Sequence, residues 1–173
     1  ASSVSVPLPL PAYCAGPADN SRPARLKLPA LVFCRSRKRV EGVARELAVT
    51  LGWNRVGAYH AGLTKEERTA IEEWFFHADD AVLVATCAYG MGVDKSNIRT
   101  TIHYDLPGNV EAYLQESGRA GRDGGPAESV VLFGPEDAAQ LAAFEDRARR
   151  MRYEQLLGYC ATQECRRTFL MEL

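Results

Sequence analysis

The sequence predicts an α/β protein built on a parallel β-sheet sandwiched between helices, followed by a short C-terminal helical extension. Three observations carry this. Short apolar runs of strand length alternate with segments of helical period. The runs at residues 31–34 (LVFC) and 81–86 (AVLVAT) are continuously apolar, as in strands covered on both faces. Finally, 173 residues with 46% hydrophobic content suffice for one sizeable core.

Taken in order, residues 1–28 hold five of the nine prolines, Pro7, Pro9, Pro11, Pro17 and Pro23, and show no sustained period, so an extended or disordered leader is expected there. The first strand, 31–34, leads to Ser36, a helix cap. Val40, Val43, Ala44, Leu47, Ala48 and Leu51 then recur at spacings of three and four and form one apolar stripe that Gly52 ends. Residues 55–60 read as a second strand. Thr64 and Glu67 form a capping box for a helix that buries Ile71, Trp74 and Phe75. Strands at 81–86 and 101–104, a helix at 110–117 and a strand at 129–133 follow. Pro135 suits the first position of a further helix with an apolar side of Ala138, Leu141, Ala142 and Phe144. From Met151 the chain reads as helical and basic, and it stops inside an apolar pattern (FLMEL), which looks like a cut end.

Composition narrows the function classes. A net charge of −1 excludes a whole-chain basic signature, but resolved along the sequence it averages acidic helices with basic patches at 35–39, 119–122 and 147–152. No apolar run reaches the roughly 18 residues of a membrane span, and the N-terminal segment lacks the basic start of a signal peptide. Five cysteines, an odd number with Cys34 and Cys87 in or beside strand-like runs, point to reduced thiols and an intracellular setting.

Ligands of open parallel sheets bind beyond the carboxyl ends of the strands, and four unusual segments are expected to converge on that edge. The first, 35–39, places Arg35, Arg37, Lys38 and Arg39 at a helix start, where the helix dipole disfavours cations and a bound anion would relieve the conflict; a solvated basic edge is the alternative. In the second, His60 and Gly62 offer an imidazole and an open backbone amide to phosphate, although a packed histidine closing a strand explains His60 alone better. The third, 86–95, combines Thr86 with a glycine-bearing loop and Asp94, a carboxylate for a ribose hydroxyl or a basic partner; turn glycines with a capping aspartate fit equally. In the fourth, 115–124, Arg119 and Arg122 lie three apart among Gly118, Gly121, Gly124 and Gly125. Two guanidinium groups can thus reach one side and neutralise charge on a transferring phosphoryl group. Pairing with Glu116 and Asp123 is the simpler account of the arginines, but not of the glycines. No G-x-x-x-x-G-K-[ST] loop cradles nucleotide phosphates and no strand ends in paired acids for magnesium. A domain with an arginine finger and no phosphate cradle completes a site on another domain.

With YHAGL, VATCAYGMGVDK and QESGRAGRDG in order, preceded by VFCRSRK, the chain resembles the second (C-terminal) RecA-like lobe of the RecQ family of superfamily 2 ATP-dependent DNA helicases. The resemblance covers roughly 29–173. It implies a RecA-like lobe at 29–146 and the helical start of a zinc-binding module at 147–173, and the proline-rich leader at 1–28 has no match in it. It implies Arg122 as the finger on the γ-phosphate of ATP, assisted by Arg119 with Gln115 beside it. Asp94 and Gly92 would serve the nucleotide, and Ser36, Arg37, Lys38, His60, Gly62, Thr86 and Lys95 would lie along the single-stranded DNA track. Cys165 stands where the family places its first zinc ligand, but the remaining ligands are missing and Zn2+ is not expected in this chain. ATP and Mg2+ would be held mainly by the N-terminal RecA-like lobe, so these residues alone should not hydrolyse ATP. The implied partners are DNA, as single strand and duplex junction, and that first lobe, with no membrane. The setting would be cytoplasm or nucleoid in a bacterium and nucleus in a eukaryote. Tyr89 replaces the phenylalanine frequent in the family and adds a hydroxyl that could contact nucleic acid. The competing reading is a non-catalytic DNA-binding or protein-interaction module that keeps the lobe fold.

Overall fold

The computed structural model of the protein describes residues 26–89 and 95–172. Within them five strands, β1 Ala30–Phe33, β2 Val56–Tyr59, β3 Val82–Ala85, β4 Thr100–His103 and β5 Glu128–Val131, form one sheet in the order β2-β3-β1-β4-β5. Every neighbouring pair is parallel, with Val32 opposite Val84 on one side and Ile102 on the other. The helices are α1 Arg37–Leu51, α2 Lys65–His77, α3 Val110–Ser117, α4 Pro135–Ala139, α5 Arg147–Ala161 and α6 Arg166–Met171.

β1 lies at the centre and is buried throughout, so its alternating side chains build two cores. Ala30, Val32 and Cys34 face the predicted α1 stripe, whose six residues are all buried, together with Val82, Val84 and Ile102. Each Val, Leu or Ile side chain buried in this way contributes about 1.5–3 kcal/mol. Leu31 and Phe33 face Phe75 of α2, with Leu83, Tyr89 and Ile98; Ile71 and Trp74 pack at the margin of this core. Gly57 leaves room for Trp74, since a Cβ there would come within 2.6 Å of the indole Cζ3.

The predicted caps are present. Ser36 Oγ accepts the N–H of Arg39 at 3.2 Å, and Thr64 and Glu67 exchange both capping-box hydrogen bonds. The predicted strands at 55–60, 81–86 and 129–133 overshoot the paired residues, because apolar side chains past the ladder are still covered. Leu132 is one example, 4% exposed beyond the end of β5. The helix expected from Pro135 is one short turn continued by a 3₁₀ turn at Gln140–Ala143. The helical stretch expected from Met151 begins earlier, at Arg147 capped by Asp146, and breaks at 162–165 into α5 and α6.

A third core joins Leu106, Val110 and Tyr113 to Tyr153, Leu156, Tyr159 and Cys160 of α5. α5 therefore packs on α3 across the boundary expected at 146/147. At the other end, Leu26 is buried in the first core and Lys27 pairs with Glu128, so the last residues of the expected leader belong to the fold. Its residues 1–25 lie outside the described residues.

Candidate functional site

The first two segments and Thr86 of the third meet at the carboxyl edge of the sheet. Arg37, His60 and Gly62 come together there: a Cβ on Gly62 would lie 3.1 Å from both Arg37 Nη1 and His60 Nδ1. The Gly62 amide is not open to phosphate as expected, because its N–H donates to His60 Nδ1 at 3.2 Å. The opposite ring nitrogen, Nε2, lies 3.3 Å from Glu41 Oε1, so the imidazole, 7% exposed, is fixed at both ends. Thr86 closes its own turn, with Oγ1 accepting the Ala88 N–H at 3.4 Å. Ser36 caps α1, and its own hydroxyl proton remains available to a ligand. Arg37 and Lys38 are exposed cations, the Arg37 side chain lying beside Gly62.

The expected conflict between the cation cluster and the helix dipole is relieved within the protein. Asp105, just past β4, accepts the backbone N–H of Arg35 at 2.9 Å and lies 3.5 Å from Arg39 Nη2. Arg35 Nη1 donates to Gln140 Oε1 at 2.6 Å. Arg35, Asp105 and Gln140 line a cleft of about 450 Å³ with Phe33, Cys87 and Arg149. Burial, reinforced by Asp105, pushes the Cys34 thiol up to about 12.

Lys95 and Tyr89 depart from expectation. The Lys95 side chain, 3% exposed, donates from Nζ to the Phe76 carbonyl at 3.0 Å and lies over the Phe75 ring. Its ammonium thus serves the carboxyl end of α2, where the helix dipole attracts a cation, and not a DNA track. Burial holds its pKa below the usual lysine range. Tyr89 is 1% exposed and packs edge-on against Tyr59 and Phe75, so its hydroxyl is in the core and not at a nucleic-acid surface.

The fourth segment touches the others at two places: Glu116 lines the same cleft as Arg35 and Cys87, and Ala120 packs against the core that holds Tyr59 and Tyr89. It follows a helix rather than a strand, and its backbone is bonded to residues ahead of β4: Gly121 N–H donates to the Ile98 carbonyl at 2.9 Å and Asp123 N–H to the Ser96 carbonyl at 3.2 Å. Gly121 has φ +69°, and a Cβ would sit 2.9 Å from the Gly125 carbonyl, which makes glycine necessary at this turn. Arg122 Nε donates to the Gly118 carbonyl at 3.3 Å. Gln115 is exposed on α3 just before the loop. Of the acids suggested as partners of the arginines, Asp123 pairs with Arg99, which holds its carboxyl down at about 2, and Glu116 Oε2 lies 2.9 Å from His103 Nε2. Gly92 and Asp94 lie outside the described residues.

Cys165 is exposed at the start of α6, while Cys160 is buried in the third core. Among the described residues no three His, Cys, Asp or Glu side chains gather to hold a metal ion, so the donor set present here does not fit zinc. No helix of the described residues is long and apolar enough to cross a membrane.

The family model described as "Helicase conserved C-terminal domain" matches residues 25–124. The chain belongs to this helicase family. It is 37% identical to the ATP-dependent DNA helicase RecQ of Pasteurella multocida over 149 residues, 82% of this chain and 23% of that protein. It is 39% identical to the ATP-dependent DNA helicase RecQ of Bacillus subtilis over 125 residues, 68% of this chain and 21% of that one. The RecQ resemblance of the sequence motifs is thus borne out, while the chain spans less than a quarter of the length of either relative. Among solved structures, the fold matches "Mss116p DEAD-box helicase domain 2 bound to an RNA duplex" with TM-score 0.59 and 21% identity, covering 69% of this chain and 47% of that one. The second RecA-like lobe expected from the sequence is therefore the observed fold.

Four residues that organise this helicase lobe escape a reading of the sequence for ligands: Arg99, His103, Asp105 and Glu116. The available signal was a histidine and an aspartate at the end of a strand-like run (TIHYD), where a polar group is costly unless it is paired.

Proposed function

We propose that this lobe is the C-terminal motor half of a RecQ-type ATP-dependent DNA helicase, which closes on an N-terminal RecA-like lobe and contributes the arginine finger to a nucleotide site between them. The observation that carries this reading is the arginine loop itself. Arg119 and Arg122 sit in a glycine-bearing turn whose backbone is hydrogen-bonded to Ile98 and Ser96, just ahead of β4. A finger needs such a fixed base, because it acts by placing charge where the phosphoryl oxygens develop it. In this mechanism ATP, bound with Mg2+ on the other lobe, supplies the scissile phosphoanhydride. Arg122 neutralises the transferring group, Arg119 assists, and Gln115 adds an amide ahead of the loop. At the carboxyl edge Ser36, Arg37 and Lys38 offer donors to the phosphates of a DNA single strand, with His60, Gly62 and Thr86 shaping the surface beside them. Cys165 is assigned as a single zinc ligand at most, and no step here uses zinc.

The test is Arg122→Ala in the complete helicase. ATP binding should stay near normal while DNA-stimulated hydrolysis falls by about 10³-fold or more; unchanged turnover would reject the assignment. The 173-residue chain alone should show no ATPase activity.

A further inference from the structure

We infer that Arg99 and His103, at the two ends of β4, are positioning residues that clamp the arginine loop from both sides and so set where its guanidinium groups stand. The inference rests on the arginine-finger reading above.

Arg99 immediately precedes β4. Its guanidinium grips both oxygens of Asp123: Nη1 donates to Oδ1 at 2.9 Å and Nη2 to Oδ2. The grip is built into the turn, since the Gly125 N–H also donates to Asp123 Oδ1 at 3.0 Å, and a Cβ on Gly125 would come within 2.5 Å of Arg99 Nη1. The Arg99 carbonyl in turn accepts the Glu128 N–H at 2.9 Å, which fixes the start of β5. At the other end of the strand His103, fully buried, meets Glu116 Oε2 at 2.9 Å through Nε2. Its ring stacks on Phe33 at 5.2 Å and packs against Tyr113 at 5.0 Å, so it has no freedom to turn.

Glu116 and Asp123 bracket Arg119 and Arg122 in the chain. Both clamps are carried by one strand, held by β1 on one side and β5 on the other. The Arg99–Asp123 pair is partly exposed, with side chains 24% and 30% accessible, and a pair of that kind contributes little to stability. Its consequence is placement, and a displacement of about 1 Å at a catalytic group can cost on the order of 100-fold in rate.

The test uses the complete helicase with Arg99→Met and, separately, Asp123→Asn. Each should lower kcat for DNA-stimulated ATP hydrolysis by about 10- to 100-fold. The KM for ATP and the affinity for single-stranded DNA without nucleotide should stay within about twofold, and melting should be close to wild type. Trapping by ADP with aluminium fluoride, which mimics the transferring phosphoryl group, should weaken in parallel with kcat. Arg99→Lys should recover part of the rate, and the double variant should be no slower than the worse single one. At the second clamp Glu116→Gln, which keeps an acceptor for His103, should retain turnover that Glu116→Ala loses. Unchanged kcat in both Arg99→Met and Asp123→Asn overturns the proposal. So does an equal loss of ATP binding, DNA binding and turnover, which would mark a folding defect. If Arg122→Ala is inactive while the Arg99 and Asp123 variants are active, only the clamp fails; if Arg122→Ala hydrolyses ATP normally, the finger reading itself fails.

Discussion

The backbone N–H of Arg35 donates to the Asp105 carboxylate at 2.9 Å, joining the exit of β1 to the exit of β4. The same carboxylate reaches Arg39 at 3.5 Å with its side chain only 14% exposed, so one acid serves two partners in a largely dry position. Asp105→Ala should destabilise the protein by about 1–3 kcal/mol, since it strands a backbone donor and removes a charge partner. Asp105→Asn should recover part of that loss, because an amide oxygen still accepts from Arg35. Urea denaturation of the three proteins checks the order.

Tyr89 places a hydroxyl in the second core, and among the described residues that oxygen has no hydrogen-bond partner. Burial raises its pKa well above the ordinary tyrosine value, with Arg119 acting in the opposite direction. Tyr89→Phe keeps the ring packing against Tyr59 and Phe75 and removes the unpartnered group. It should therefore stabilise the protein by about 1 kcal/mol, read as a higher denaturation midpoint. A loss of stability would mean that the hydroxyl has a partner worth keeping.

The thiols should react in a fixed order. Backbone and side-chain donors at the start of α6 lower the pKa of Cys165, whereas burial pushes Cys34 up to about 12 and Cys160 up to about 11. The thiolate is the reactive form, so a lowered pKa raises its fraction at a given pH and a raised one suppresses it. Alkylation at about pH 8 followed by peptide mass spectrometry should label Cys165 well before Cys34 and Cys160. Raising the pH should bring up the slow pair only on unfolding or in strong alkali. Early labelling of Cys34 would contradict its buried setting.

The sheet and its helices were legible because their signals are local. The α1 stripe from Val40 to Leu51, the Ser36 cap and the Thr64–Glu67 capping box are each written in a few neighbouring residues, and all three are present in the structure. The two arginines of the loop and the cations of 35–39 were legible for the same reason. What could not be read was pairing across the chain. Arg99 meets Asp123 at a separation of 24 residues and Arg35 meets Gln140 at 105, and no local pattern marks either partner. Lys95 shows the converse error. The family resemblance implied a place for it on the DNA track, but the carbonyl end of α2, 19 residues earlier, draws the ammonium inward.

By itself, the sequence determined the parallel α/β architecture, the helicase family and the loop that carries Arg119 and Arg122, since apolar period, capping and motif composition all act over a few residues. Only the tertiary structure decided that the loop is tied to the residues ahead of β4 and that Arg99 holds its Asp123. Helix α3 carries the chain away from the strand ends before the loop begins, and the hydrogen bonds from Gly121 and Asp123 to Ile98 and Ser96 fix it there.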